Sequence, residues 1–166
     1  ADDEAGSGGV RFSDDLDGDG EDELVLASPS VGADAGALWI FGATELGLSV
    51  AVTGGWVTLE GGAGDALGSA FVSGTDWDAD GTPEVAVGAS GASSVYLAPV
   101  AGEAGSHGGA ALAAQTLSGT AGDDFGAAVA TGDFYGDGVD DLVVGAPGAA
   151  SGKGSIYVFF GGSAAS

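Results

Sequence analysis

Residues 15–29 read DLDGDGEDELVLASP, with six carboxylates in the first nine residues and an apolar run directly after them. Charges of one sign packed this closely repel one another unless a cation lies among them. Two further stretches share the design, DWDADGTPEVAVGAS at 76–90 and DFYGDGVDDLVVGAP at 133–147, at spacings of 61 and 57 residues. So regular a period marks stacked or radial repeats. Each stretch is followed by an aromatic-rich apolar run: GALWIFG (36–42), SSVYLAP (93–99) and GSIYVFFG (154–161). After the first two come WVTLEGG (56–62) and AAQTLSGT (113–120), while GDALGSAFVSG (64–74) and GDDFGAAVATG (122–132) precede the second and third loops.

These runs are short, rich in Val, Ile, Tyr, Phe and Trp, and bounded by Gly, Pro, Ser and Asp. That is strand chemistry with tight turns, and it predicts an all-β fold with about four strands per repeat. The repeats span about 5–62, 63–120 and 121–162 within a single domain of 166 residues. No segment carries a convincing helical pattern. The Gly/Ala-rich stretch 101–114 reads as a long loop, because each glycine in GEAGSHGGA costs a helix roughly 1 kcal/mol.

Only Arg11 and Lys153 oppose 25 acidic residues, giving a net charge of −23. Nucleic acids and anionic membranes need Lys/Arg clusters that are absent here, so neither is an expected partner. The charge favours cations. Apolar residues make up 45 % of the chain and mean hydropathy is +0.30, enough to bury a core rather than remain disordered. Without cysteine there are no disulfides or thiolate metal sites, so stability has to come from packing or hard ions. No apolar stretch is long enough to span a bilayer. The start at Ala1, with neither Met nor a leader pattern, reads as a processed or excised segment.

In each acidic loop, oxygen side chains recur at alternate positions, and the glycine at position 6 (Gly20, Gly81 or Gly138) permits the sharp turn. The first loop offers Asp15, Asp17, Asp19 and Glu23; the second offers Asp76, Asp78, Asp80 and Glu84. Position 7 adds a backbone carbonyl from Glu21, Thr82 or Val139. Calcium takes six to eight oxygens at about 2.3–2.6 Å in flexible geometry, whereas magnesium demands a rigid octahedron and keeps its waters. Up to three Ca2+ ions are therefore expected. The third loop has Asp133, Asp137 and Asp141, but Tyr135 stands at position 3, where a phenol is a poor ligand. Its site is expected to be the weakest. An EF-hand is excluded, since position 12 is Leu26, Val87 or Val144 inside a strand run rather than a bidentate Glu. The plain alternative is solvated acidic turns, as most charge clusters are; three at matched positions, each entering a strand, weigh against it.

Residues 123–161, DDFGAAVATGDFYGDGVDDLVVGAPGAASGKGSIYVFFG, resemble an FG-GAP repeat, the unit of integrin α-subunit β-propellers. They carry Phe125-Gly126, the loop, and Gly145-Ala146-Pro147. The second repeat is similar, with Leu67-Gly68 and Gly88-Ala89-Ser90; the first keeps Ala27-Ser28-Pro29 but has AGSGGVRF where Phe-Gly would stand. The resemblance implies four-stranded blades, a calcium loop joining the first two strands of each, and an extracellular or cell-surface setting. At free calcium ten times Kd, each site would add about 1.4 kcal/mol. Extracellular modules bind with Kd of about 0.1–1 mM.

Propellers have four to eight blades, and this chain supplies about three. The third repeat also lacks a counterpart of WVTLEGG, so its blade is short of the outermost strand. Either the chain is part of a larger propeller, or copies assemble; a homodimer of six blades is the favoured expectation, in which the N-terminal segment could complete a partner's last blade. The function expected is a non-catalytic, calcium-stabilised module for binding or adhesion, with a protein or glycan ligand. The alternatives are a lectin-like carbohydrate-binding module and an accessory domain of a secreted polysaccharide-active enzyme.

Other candidates read more plainly. His107, the sole histidine, is expected in an exposed loop without the convergent partners that catalysis or zinc requires. GAASGKGS does not follow phosphate-loop spacing and reads as a hairpin turn. Trp39 reads as core and Trp77 as packing against a neighbouring blade; Trp56 begins an outer strand, where partial exposure would suit sugar stacking, with core or inter-blade packing the default reading.

Overall fold

The structure is a computed structural model and describes residues 6–42 and 55–162. Every acidic loop turns one strand back antiparallel onto the next. Thus β1 (Gly9–Ser13) pairs with β2 (Glu23–Ser28), β5 (Leu67–Thr75) with β6 (Glu84–Ala89), and β10 (Ala128–Gly132) with β11 (Asp141–Ala146). The aromatic-rich runs form the third strands, β3 (Ala37–Phe41), β7 (Ser94–Pro99) and β12 (Ser155–Phe159). Outer strands β4 (Val57–Glu60) and β9 (Gln115–Ser118) complete the first two sheets. The third sheet has the order β10-β11-β12 and no outer strand among the described residues. The fold is all-β, three open sheets consistent with part of a β-propeller.

Period-two alternation sorts each blade into two apolar faces. Val25 and Ala27 of β2, with Leu38 and Ile40 of β3, meet Phe71, Val85, Val87, Tyr96 and Ala98 of the second blade. The second blade's opposite face, Ala86, Val95, Leu97 and Leu117, meets Phe125, Leu142, Val144 and Ala146 of the third. The core thus holds two inter-blade layers in which the same strand positions recur, and a smaller cluster of Ala37, Trp39 and Phe41 on the first blade's other face.

The stretch 101–114 departs from expectation. It holds a four-residue strand, β8 (Gly105–Gly108), and one helical turn, α2 (Gly109–Leu112). β8 lies parallel to β4, with Val57 opposite Gly105 and Glu60 opposite Gly108, giving the first sheet a fifth strand drawn from the second repeat. His107 therefore sits in a strand, not an exposed loop; it is half-buried, with Nε2 3.1 Å from the Ala104 carbonyl and 3.8 Å from Glu103. Glycine content argues against a helix but leaves an extended edge strand open, since such a strand draws its hydrogen bonds from a neighbour.

The turns after β2 and β11 are short helical turns, α1 (Val31–Asp34) and α3 (Ala149–Gly152), with left-handed backbone at Gly32-Ala33 and Ala150-Ser151. GAASGKGS accordingly forms the turn between β11 and β12. Residues 1–5, where the strand-completing N-terminal segment would begin, lie outside the described residues.

Candidate metal centres

Each acidic loop is first a set of backbone turns held by its own carboxylates. In the first loop, Asp15 accepts from the N–H groups of Gly18 (2.6 Å) and Gly20 (2.9 Å), Asp17 from Asp19 (3.0 Å), and Asp19 from Glu21 (2.9 Å). The second repeats this: Gly81 donates to Asp76 (3.0 Å), Asp80 to Asp78 (3.2 Å) and Thr82 to Asp80 (2.8 Å). In the third, Gly136, Asp137 and Gly138 donate to Asp133, and Val139 to Asp137 (3.1 Å). Position 7, whose carbonyl is the expected backbone ligand, is thereby tied at its N–H in all three.

These bonds engage both oxygens of Asp15 and Asp133 but only one of Asp17, Asp19, Asp76, Asp78, Asp80 and Asp137. Ligand atoms of Asp15, Asp17, Asp19 and Glu23 lie within 4.8 Å of one another, as do those of Asp76, Asp78 and Glu84. Asp80 stands outside the second cluster, and Asp133, Asp137 and Asp141 form no such cluster among the described residues.

Position 9 has a second task that spacing alone does not reveal. Glu23 and Glu84 are buried, and each accepts a bond from the backbone N–H of loop position 2, Leu16 for Glu23 and Trp77 (2.9 Å) for Glu84. The carboxylate closes the loop across its base. Its other oxygen is left over in the first loop, where Glu23 Oε1 is buried without a hydrogen-bond partner; Asp76 Oδ1 is in the same state in the second. A buried, unpartnered carboxylate oxygen is costly, and a cation at that point would satisfy it.

Asp141 behaves differently. Its Oδ2 accepts from Phe134 (2.9 Å) and Tyr135 (3.0 Å), and its Oδ1 from Gly161 (3.1 Å). Both oxygens are engaged by backbone. Asp141 is one methylene shorter than Glu, and Tyr135 at position 3 is 73 % exposed with its ring against Phe160, at 5.6 Å.

Electrostatics mark the first two loops as short of positive charge. Burial pushes the Glu84 carboxyl up to about 7, with Asp78, Asp80 and Asp76 adding repulsion against the bond from Trp77. Glu23 is raised for the same reasons, burial first and then Asp17, Asp15 and Asp19. A divalent ion would reverse both effects, because it favours the ionised form of every oxygen around it. The donor set is hard oxygen throughout, which suits calcium.

The tryptophans take structural places. Trp39 is buried in the first blade, and Trp77 lies in the layer between the second and third blades. Trp56 is half-buried against the first core cluster, and its carbonyl accepts from the Gly105 N–H.

Loop, bend and sheet together are consistent with part of a β-propeller in which an acidic loop joins the first two strands of each repeat. The FG-GAP repeat family model matches residues 12–41 and 125–159, so the first and third units are similar to FG-GAP repeats, consistent with an integrin-like β-propeller. The middle unit repeats their topology. No curated protein matches the chain significantly. No helix among the described residues is long and apolar enough to cross a membrane.

Proposed function

We propose that the protein is a calcium-stabilised β-propeller module that binds a partner, in adhesion or recognition, without catalysing a reaction. The observation that carries the reading is the recurrence of one unfinished carboxylate cluster at the same bend of two successive blades, each with a buried oxygen lacking a partner. Asp15, Asp17, Asp19 and Glu23 would hold one ion; Asp76, Asp78 and Glu84 would hold another, with Asp80 joining by a small shift of its loop. The Glu21 and Thr82 carbonyls would complete them. Asp133, Asp137, Asp141 and the Val139 carbonyl would form the weakest third site, since Asp141 already serves three backbone donors.

The ion's role is structural. It neutralises carboxylates that otherwise repel across the bend, and so fixes the strand pair and the blade. The non-catalytic reading is supported by how fully the clustered carboxylates are committed to loop closure, and by His107 lying beside Glu103 and the Ala104 carbonyl. An extracellular or cell-surface location accords with millimolar calcium there and with the FG-GAP repeats. A protein ligand follows by likeness to integrin propellers, a likeness of fold alone. Thermal melting in calcium, magnesium and chelator tests the reading: calcium alone should raise Tm markedly. Equal melting in calcium and chelator would defeat it.

A further inference from the structure

Position 3 of the third bend carries Tyr135, where the first two bends carry Asp17 and Asp78. The tyrosine is 73 % exposed, and its ring meets that of Phe160 edge to face, with centroids 5.6 Å apart and planes at 66°. Its openness belongs to the position. Asp17 is half-buried and Asp78 exposed, although a further blade packs beside each of those bends. Apolar side chains on a surface normally stand singly, and a pair of rings held together in solvent is a contact patch.

Asp141 assembles that patch. It is 1 % exposed; its Oδ2 accepts from the Tyr135 N–H (3.0 Å), and its Oδ1 from the N–H of Gly161, the residue after Phe160 (3.1 Å). One carboxylate thus ties down both segments that carry the rings. Gly162 adds a second anchor, donating to the Trp77 carbonyl at 2.7 Å. In the first two bends, Glu23 and Glu84 at the same position 9 lend an oxygen to the carboxylate clusters. In the third, position 9 fixes aromatic residues instead.

Charge decides what the patch receives. Asp133 and Asp137 are exposed on the same bend, Asp137 with only its Oδ1 engaged, by the Val139 N–H. Among the described residues, no Lys or Arg pairs with either. An anionic ligand is repelled here, and a neutral one gains from the rings alone. A guanidinium uses both features, since its weakly hydrated plane stacks on a ring face while its fork donates to a carboxylate.

We infer that the third bend binds an arginine side chain from a basic peptide segment of a partner protein, between the Tyr135–Phe160 pair and Asp137. The inference rests on the reading of the protein as a partner-binding module, and gives that reading a site and a ligand chemistry. Calcium and the guanidinium compete for Asp133 and Asp137. Because the third metal site is the weakest, it stays open to the peptide at calcium levels that fill the first two.

Amide NMR of the whole chain in calcium at physiological ionic strength, titrated with an unstructured peptide of alternating glycine and arginine, tests it. The largest shifts should fall on Tyr135, Gly136, Asp137 and Gly161. Tyr135→Ala and Asp137→Asn should each weaken binding roughly threefold to tenfold, whereas Tyr135→Phe stays within about twofold. Circular dichroism should show an unchanged fold, since both side chains lie on the surface. Replacing arginine by citrulline, which keeps the shape and removes the charge, should abolish binding. Shifts scattered over the acidic surface and indifferent to Tyr135→Ala, equal binding of the citrulline peptide, or no binding in calcium would each overturn the inference. A chain that calcium stabilises but that ignores the peptide overturns this inference alone; peptide binding at Tyr135 with no effect of calcium on Tm defeats the metal reading alone.

Discussion

The Gly126 carbonyl lies directly over the Cα of Gly88, so that a Cβ on Gly88 would fall 1.9 Å from the Gly126 oxygen. Gly126 belongs to the Phe125-Gly126 pair that opens the third blade, and Gly88 to β6 of the second. Two backbones meet there with nothing between them, while Phe125, 1 % exposed, fills the space alongside. The neighbour is main chain in the turn before β10, so it cannot yield as a flexible side chain would. Gly88→Ala should therefore destabilise by roughly 1–3 kcal/mol, the range of overpacked cores. Gly132→Ala, where a Cβ meets nothing within 4 Å, should stay within about 0.5 kcal/mol. Urea unfolding of the two variants reads the difference.

Glu84→Gln separates the two tasks of position 9. The amide oxygen can still accept from Trp77, but the charge is gone. Without calcium the variant should be at least as stable as the parent at neutral pH, because a buried charge near Asp76, Asp78 and Asp80 is removed. With calcium it should lose one site, about 1.4 kcal/mol at tenfold saturation. The stability order of variant and parent should thus reverse between chelator and calcium, as measured by melting in both buffers.

Tyr135→Asp restores a carboxylate at position 3 of the third loop. Tyr135 is exposed, with its ring against that of Phe160, so its loss leaves the core intact. The third site should tighten about tenfold, equivalent to about 1.4 kcal/mol. Calorimetric calcium titration would register a gain confined to the weakest step; an unchanged isotherm would count against Asp133 and Asp137 as ligands.

Ala79 sits at loop position 4 with φ of +61°, where the other two loops have Gly18 and Gly136 at +84° and +82°. The left-handed region costs an L-residue roughly 1–2 kcal/mol, partly offset by the entropy glycine brings to the unfolded chain. Ala79→Gly should stabilise by about 0.5–1 kcal/mol, a Tm rise of roughly 1–4 °C. Gly18→Ala should do the reverse.

What the sequence made legible was whatever it repeated. Asp15, Asp76 and Asp133 head matched loops, and the apolar runs behind them are the observed strands. Strand β8 was hidden because its four residues, GSHG, carry no alternation; its partner β4 lies 48 residues earlier, with Gly105 opposite Val57. Similarly, nothing in the spacing tells that Glu23, Glu84 and Asp141 reach back to the N–H of position 2, since that bond depends on how far the turn closes. Asp141 shows the consequence. In the loop pattern it is an ordinary ligand, whereas in the fold its two oxygens serve three backbone donors, Phe134, Tyr135 and Gly161.

The central claim is that calcium holds the bends at Asp15–Glu23 and Asp76–Glu84. The most direct measurement is anomalous diffraction from crystals grown in millimolar calcium. The account predicts a strong peak among Asp15, Asp17, Asp19 and Glu23, another among Asp76, Asp78 and Glu84, and a weaker one or none at Asp133. Solvent alone within the first two clusters would contradict it.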